Sequence, residues 1–183
     1  MKIIKTNQNS IIIVDEAFGE YISDEASAIN IFREFENVLI LRTFSKAYGM
    51  AGLRLGYCIG PKELIKILEQ IRLDFPIASI SERLGIIALE DKGYLEEMRE
   101  KLYKRKKSIY KCLENSKIKY IPSDTNIMLI KHDNKNLYKE LMKRGILTAI
   151  METEGLKARG YTRITIKNDE ENDVLIKSLS ELN

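Results

Sequence analysis

Ser10-Ile11-Ile12-Ile13-Val14-Asp15-Glu16 is a run of four β-branched residues that stops at two carboxylates. An unbroken apolar run of this kind reads as a strand buried on both faces, with Asp15 and Glu16 at its carboxyl end. Asn37-Val38-Leu39-Ile40-Leu41 repeats the pattern and ends in Arg42-Thr43-Phe44-Ser45-Lys46. Leu53 to Ile59 offers a third, short strand. Pro61 stands at the favoured first position of a helix, with Leu64, Leu68 and Ile71 on one face. The alternation of strands and helices suggests parallel crossovers and an α/β layer. In such sheets ligands sit beyond the carboxyl ends of the strands, and there the polar clusters fall.

Pro76 marks a break, after which the spacing predicts helices over 79–91 and 94–113. The later part of the chain has a different texture. Residues 118–121, 127–130 and 163–166 read as short strands, and 137–144 as a helix closed by Gly145. Asn168, three places before Glu171, opens a last helix with Val174, Leu175, Leu179 and Leu182 apolar. That is an α+β unit.

The 183 residues carry a formal net charge of +3 and 44% hydrophobic residues, enough for one domain or two small ones with a real core. No run of about 18 apolar residues is present, so no membrane span is expected. No signal peptide is expected either. Two cysteines, Cys58 and Cys112, suit a reducing cytosol. A single histidine, His132, argues against histidine-rich metal sites and histidine-based triads, and it reads as part of an exposed loop. The basic run Lys101-Leu102-Tyr103-Lys104-Arg105-Lys106-Lys107 follows Glu96, Glu97 and Glu100 on one helix, which favours a solvated face over a nucleic-acid patch. Met151 to Gly160 reads as a mobile loop leading to Arg163.

The chemistry is concentrated in Thr43-Phe44-Ser45-Lys46-Ala47-Tyr48-Gly49-Met50-Ala51-Gly52-Leu53-Arg54-Leu55-Gly56-Tyr57. Hydroxyls and glycines let a chain close around an anion, and Arg54 could grip a phosphate bidentately. Lys46 could contact a phosphate or, desolvated, act as an amine nucleophile. The Walker pattern is missing. On spacing alone, a phosphate cradle and a solvated glycine-rich loop stand level.

Together with Ile13-Val14-Asp15-Glu16-Ala17-Phe18, this stretch resembles the fold-type I pyridoxal-phosphate aminotransferases, the histidinol-phosphate aminotransferase branch above all. The tail agrees in order and spacing: Pro122-Ser123, Thr125-Asn126, Lys143-Arg144-Gly145-Ile146, Tyr161-Thr162-Arg163-Ile164-Thr165-Ile166 and Glu170-Glu171-Asn172. The resemblance implies the back part of a three-layer parallel-sheet large domain at 1–75, connecting helices at 76–112 and a small α+β domain at 113–183. It implies pyridoxal 5'-phosphate as cofactor, an amino-acid or amino-phosphate donor, a 2-oxo acid acceptor, and a cytoplasmic homodimer at full length. Metal, nucleic acid and membrane are not among the implied partners.

The same resemblance distributes roles. Asp15 would pair with the pyridine nitrogen. Lys46 would bond the cofactor and then move the proton between substrate and cofactor. Thr43, Ser45 and Arg54 would hold the phosphate, and Arg163 the substrate carboxylate. Phe18 stands where the family usually has tyrosine, a feature similar to the threonine-phosphate decarboxylases, which supply an alternative activity. Ala149 stands near a position where histidinol-phosphate enzymes usually carry an arginine. The resemblance begins in mid-domain, which implies a C-terminal half that is catalytically silent alone. A non-catalytic module that retains the fold is the alternative from another class.

Overall fold

A computed structural model describes residues 2–152 and 159–183, so the centre of the expected 151–160 loop lies outside the described residues. The chain forms two compact units, residues 1–97 and 98–183.

The first unit holds α1 (Lys2–Thr6), β1 (Ile12–Asp15), β2 (Val38–Thr43), β3 (Gly56–Ile59), α2 (Lys62–Ile71) and α3 (Ser79–Glu90). The first residues of α4 (Lys92–Glu114) also belong to it. The sheet order is β1-β2-β3. β1 and β2 are parallel, from Ile12 opposite Val38 to Asp15 opposite Leu41. Residues between them form short 3₁₀ turns, among them Gly19–Tyr21 and Ala28–Asn30. β3 departs from the expected parallel arrangement: it runs antiparallel to β2, with Thr43 opposite Gly56. The connection over 44–55 contains only a 3₁₀ turn at Ala51–Leu53. A parallel return needs a crossover of about a dozen residues or more, usually a helix.

Strand alternation divides the sheet into a covered and an open face. Ile12, Val14, Val38 and Ile40 pack with Ile29 and Phe32 from the 3₁₀ segment. Ile11, Ile13 and Leu41 point the other way and are 57%, 61% and 39% exposed. The first strand is therefore buried on one face, not on both. A second cluster joins Phe44, Tyr48 and Leu55 of the loop after β2 to Ala88 of α3 and Leu95 of α4.

The second unit contains the rest of α4, β4 (Lys119–Ile121), β5 (Ile127–Lys131), α5 (Leu137–Lys143), β6 (Ala149–Ile150), β7 (Thr162–Thr165) and α6 (Asp169–Glu181). Its sheet has the order β4-β5-β7-β6, and every pairing is antiparallel. Met128, Ile130 and Ile164 supply the buried face, and Leu141 of α5 and Leu179 of α6 are fully buried as well. Gly145 closes α5 at φ +75. Asn168 caps α6 by accepting a hydrogen bond from the Glu171 amide at 2.8 Å. His132 is 8% exposed rather than part of an exposed loop. It continues the inward alternation of Met128 and Ile130, and its Nδ1 accepts from the Asn134 amide at 3.1 Å.

No helix among the described residues is long and apolar enough to cross a membrane. No group of three or more histidine, cysteine or acidic residues among them could hold a metal ion.

Candidate functional site

The parallel register of β1 and β2 sets two pairs of side chains on opposite faces of the sheet. Asp15 and Thr43 fall on the open face, Glu16 and Arg42 on the covered one. Arg42 is 8% exposed and is held on three sides. Its Nε donates to Glu16 Oε2 at 2.9 Å, Nη1 to Glu20 Oε1 at 2.9 Å and Nη2 to Ser27 Oγ at 2.8 Å. Glu16 also accepts from Ser27 Oγ at 2.8 Å and from the Ala28 amide at 2.6 Å. Burial alone would lower the Arg42 pKa, but the bonds and charges of Glu20 and Glu16 outweigh it and hold the value above the ordinary one. This buried cluster ties the carboxyl end of β1 to that of β2.

The loop after β2 is shaped mostly by bonds within itself. Thr43 Oγ1 accepts from the Ser45 amide at 3.1 Å and donates to Leu55 O at 3.3 Å. The Phe44 amide donates to Leu55 O at 3.1 Å, and Phe44 O accepts from the Met50 amide at 2.9 Å. Lys46 O accepts from the Gly49 amide at 3.0 Å, in a turn that needs Gly49 at φ +69. From outside the loop, the Tyr94 hydroxyl donates to Ala47 O at 3.1 Å. The Tyr94 ring stacks on Tyr48 with centroids 6.0 Å apart and planes 9° from parallel.

Lys46 itself is exposed, and its Nζ lies 5.3 Å from the centroid of the Phe18 ring. Among the described residues that amine makes no hydrogen bond or ion pair. Asp15 is exposed and accepts from the Ala17 amide through Oδ1 at 2.9 Å. A groove of about 360 Å³ lies beside it, lined among others by Glu16, Phe18, Gly19 and Ser27. Arg54 is the one non-glycine residue with positive φ among the described residues, at φ 51. Such a backbone costs of order 1–3 kcal/mol and gathers at functional sites. Its Nη1 donates to Ala51 O at 3.1 Å. Tyr21 stacks beside Phe18 with centroids 6.0 Å apart. Burial first, then the nearby Tyr94 and Glu20 charges, raise the Tyr21 phenol above its ordinary value.

Five of the candidates thus lie in the first unit: Asp15 and Thr43 on one face of adjacent strand ends, Ser45 bonded to Thr43, Lys46 over Phe18 and Arg54 at the loop's strained turn. Arg163 belongs to the second unit. It stands on the exposed face of β7, opposite Leu129 on one side and Ala149 on the other. Two features escaped the sequence reading. Arg42 was placed among polar residues beyond the strand, although it lies within β2 and inside; its spacing from Val38 and Ile40 carried that signal. Tyr94 gave no sign at all, because its partner lies far back in the chain.

The arrangement is that of an α/β protein whose candidate site residues collect beyond the carboxyl ends of two parallel strands. The family model for aminotransferase class I and II matches residues 1–179, and the chain belongs to that family. It is 36% identical over 182 residues to a histidinol-phosphate aminotransferase of Lysinibacillus sphaericus, with 97% of this chain and 49% of that protein covered. With a histidinol-phosphate aminotransferase of Thermoanaerobacter pseudethanolicus the identity is 37%, covering 100% of this chain and 51% of the relative. The chain thus spans about half the length of the curated relatives it matches. The crystal structure of the Sinorhizobium meliloti histidinol-phosphate aminotransferase, in complex with pyridoxal-5'-phosphate, matches at TM-score 0.84 and 29% identity, covering 96% of this chain and 49% of that one. The Clostridium acetobutylicum enzyme of the same name reaches TM-score 0.90 at 24% identity, over 99% of this chain and 57% of that one, and shows the shared fold.

Proposed function

We propose that this chain supplies the lysine-bearing half of a pyridoxal-phosphate-dependent aminotransferase, which moves an amino group from an amino-acid or amino-phosphate donor to a 2-oxo acid. The observation that carries the reading is Lys46: an amine with no competing bond among the described residues, at a strand end, held over an aromatic face. The surrounding donor set fits the cofactor. Asp15 offers a carboxylate to a protonated pyridine nitrogen, and Thr43, Ser45 and Arg54 offer hydroxyls and a guanidinium to a phosphate. When bound, the cofactor supplies an electron sink for the substrate carbanion. Lys46 would hold the cofactor through its amine and, once released, would carry the proton taken from the substrate α-carbon. Asp15 would hold the protonated ring nitrogen by charge pairing. Arg163 presents a planar fork to the substrate carboxylate. The working enzyme is a homodimer in the cytoplasm.

A second reading, decarboxylation of an amino-acid phosphate, is favoured by Phe18, whose ring faces Lys46 without a hydroxyl. One assay separates the readings. The chain is combined with the amino-terminal half of the Lysinibacillus sphaericus relative, then supplied with cofactor, amino acid and 2-oxo acid. Visible absorbance from bound cofactor and transfer of the amino group are expected, and Lys46→Ala abolishes both. Release of carbon dioxide without amino transfer favours the second reading. Absorbance and turnover that survive Lys46→Ala overturn the role given to Lys46.

A further inference from the structure

We infer that Tyr94 is a positioning residue for Lys46: from the first turn of α4, its phenol fixes the backbone that carries the reactive amine. The inference rests on the reading of Lys46 given above. Lys46 is exposed, and its amine lies over the Phe18 ring with no hydrogen bond or ion pair among the described residues, so its side chain does little to fix its own direction. Direction must come from the backbone on either side. On the amino-terminal side, Ser45 is tied to Thr43 and Phe44 to both Leu55 and Met50. On the carboxyl-terminal side, Lys46 O accepts from the Gly49 amide at 3.0 Å, and the next carbonyl, that of Ala47, is met by the Tyr94 hydroxyl at 3.1 Å.

Tyr94 is 38% exposed, against 70% for Tyr103, and is held from two sides. Its amide donates to the Asp91 carboxylate at 3.2 Å at the start of α4, and its ring lies flat on Tyr48. Ala47 and Tyr48 are 4% and 8% exposed, so the bond closes over a packed surface. Loss of the hydroxyl leaves a poorly hydrated carbonyl without that partner, and such a group draws the local backbone toward another donor or toward water. The peptide that moves is Ala47–Tyr48, one residue beyond Lys46. Its rotation reaches Lys46 through the Ala47 backbone and swings a long side chain, so the distance from the amine to the Phe18 ring changes most.

That distance is readable without cofactor. Reductive methylation with carbon-13 formaldehyde places an NMR-visible methyl pair on each lysine. Held over Phe18, the Lys46 signal is displaced by the ring current from the bunched signals of exposed lysines, and Lys46→Arg identifies it. Tyr94→Phe retains the ring and removes only the hydroxyl. The displacement is expected to fall to less than half in Tyr94→Phe and to persist in Tyr103→Phe, a change at an exposed tyrosine of the same helix. Hydrogen exchange supplies the structural control. The Gly49 and Met50 amides should exchange at least about twofold faster in Tyr94→Phe, the low end of what losing one hydrogen bond produces, while β2 stays protected.

An undisplaced Lys46 signal in the wild-type chain, or one unchanged in Tyr94→Phe, overturns the inference. So does faster exchange throughout β2, which would make Tyr94 a general support of the fold. Failure of the Lys46 assignment itself shows instead as turnover in Lys46→Ala, a separate result.

Discussion

Replacing Arg42 by methionine removes the guanidinium from a buried cluster that contains two carboxylates. Arg42 and Glu20 are 8% and 2% exposed, and the guanidinium bonds Glu16, Glu20 and Ser27 at 2.8–2.9 Å. Methionine fills much of the volume, so the cost is electrostatic rather than a cavity. Breaking a buried ion pair from one side costs about 3–5 kcal/mol. A domain of this size has roughly 5–15 kcal/mol in all, so the first unit should be left marginal. Glu20→Gln, which retains shape and an acceptor, should cost less, about 1–3 kcal/mol. Urea unfolding followed by circular dichroism measures both losses. A loss below about 1 kcal/mol in Arg42→Met, or a larger loss in Glu20→Gln than in Arg42→Met, refutes the account.

Other perturbations probe other parts of the molecule. Gly56→Ala places a Cβ 2.8 Å from the Arg42 carbonyl oxygen, a backbone atom that cannot give way alone, so a loss of about 1–3 kcal/mol in urea unfolding is expected. Asn168→Ala removes the cap on the Glu171 amide and should lower the stability of the second unit by about 1 kcal/mol, read as a shift in its thermal midpoint. Tyr21 has a folded pKa above its ordinary 10.0, so its contribution is intact below that value and is lost as pH rises through the folded one. An alkaline titration of tyrosinate absorbance should show one late phenol that Tyr21→Phe removes; early titration of every tyrosine would contradict the burial.

The sequence carried the elements that rest on local chemistry. Asn168 and Gly145 marked helix ends because capping and positive φ are properties of single residues. The helices over 79–91 and 94–113 were visible in their periodicity and lie within a few residues of α3 and α4. Strand direction was not visible: Gly56–Ile59 looks the same whichever way its neighbour runs, and only the lack of a helix in 44–55 argued for the antiparallel return. Burial failed where composition stood in for surroundings. Ile11 and Ile13 look like core and are exposed, whereas Arg42 and His132 look like surface and are buried. At the site, the residues that would meet the cofactor stood out in the motif. The groups that hold them, Arg42 and Tyr94, did not, because each acts through partners distant in sequence.

The open face of the first sheet also bears on how this chain behaves in concentrated solution. β1 is an edge strand, paired on one side by β2. Ile11, just before it, and Ile13 and Asp15 within it face solvent, and no lysine or proline guards the edge. A short strand rich in β-branched side chains, with a single charge at its end, is a template on which a second strand can build. Colloidal stability then depends on what covers that face, not on the packed core behind it. A net charge of only +3 supplies little long-range repulsion against such self-pairing.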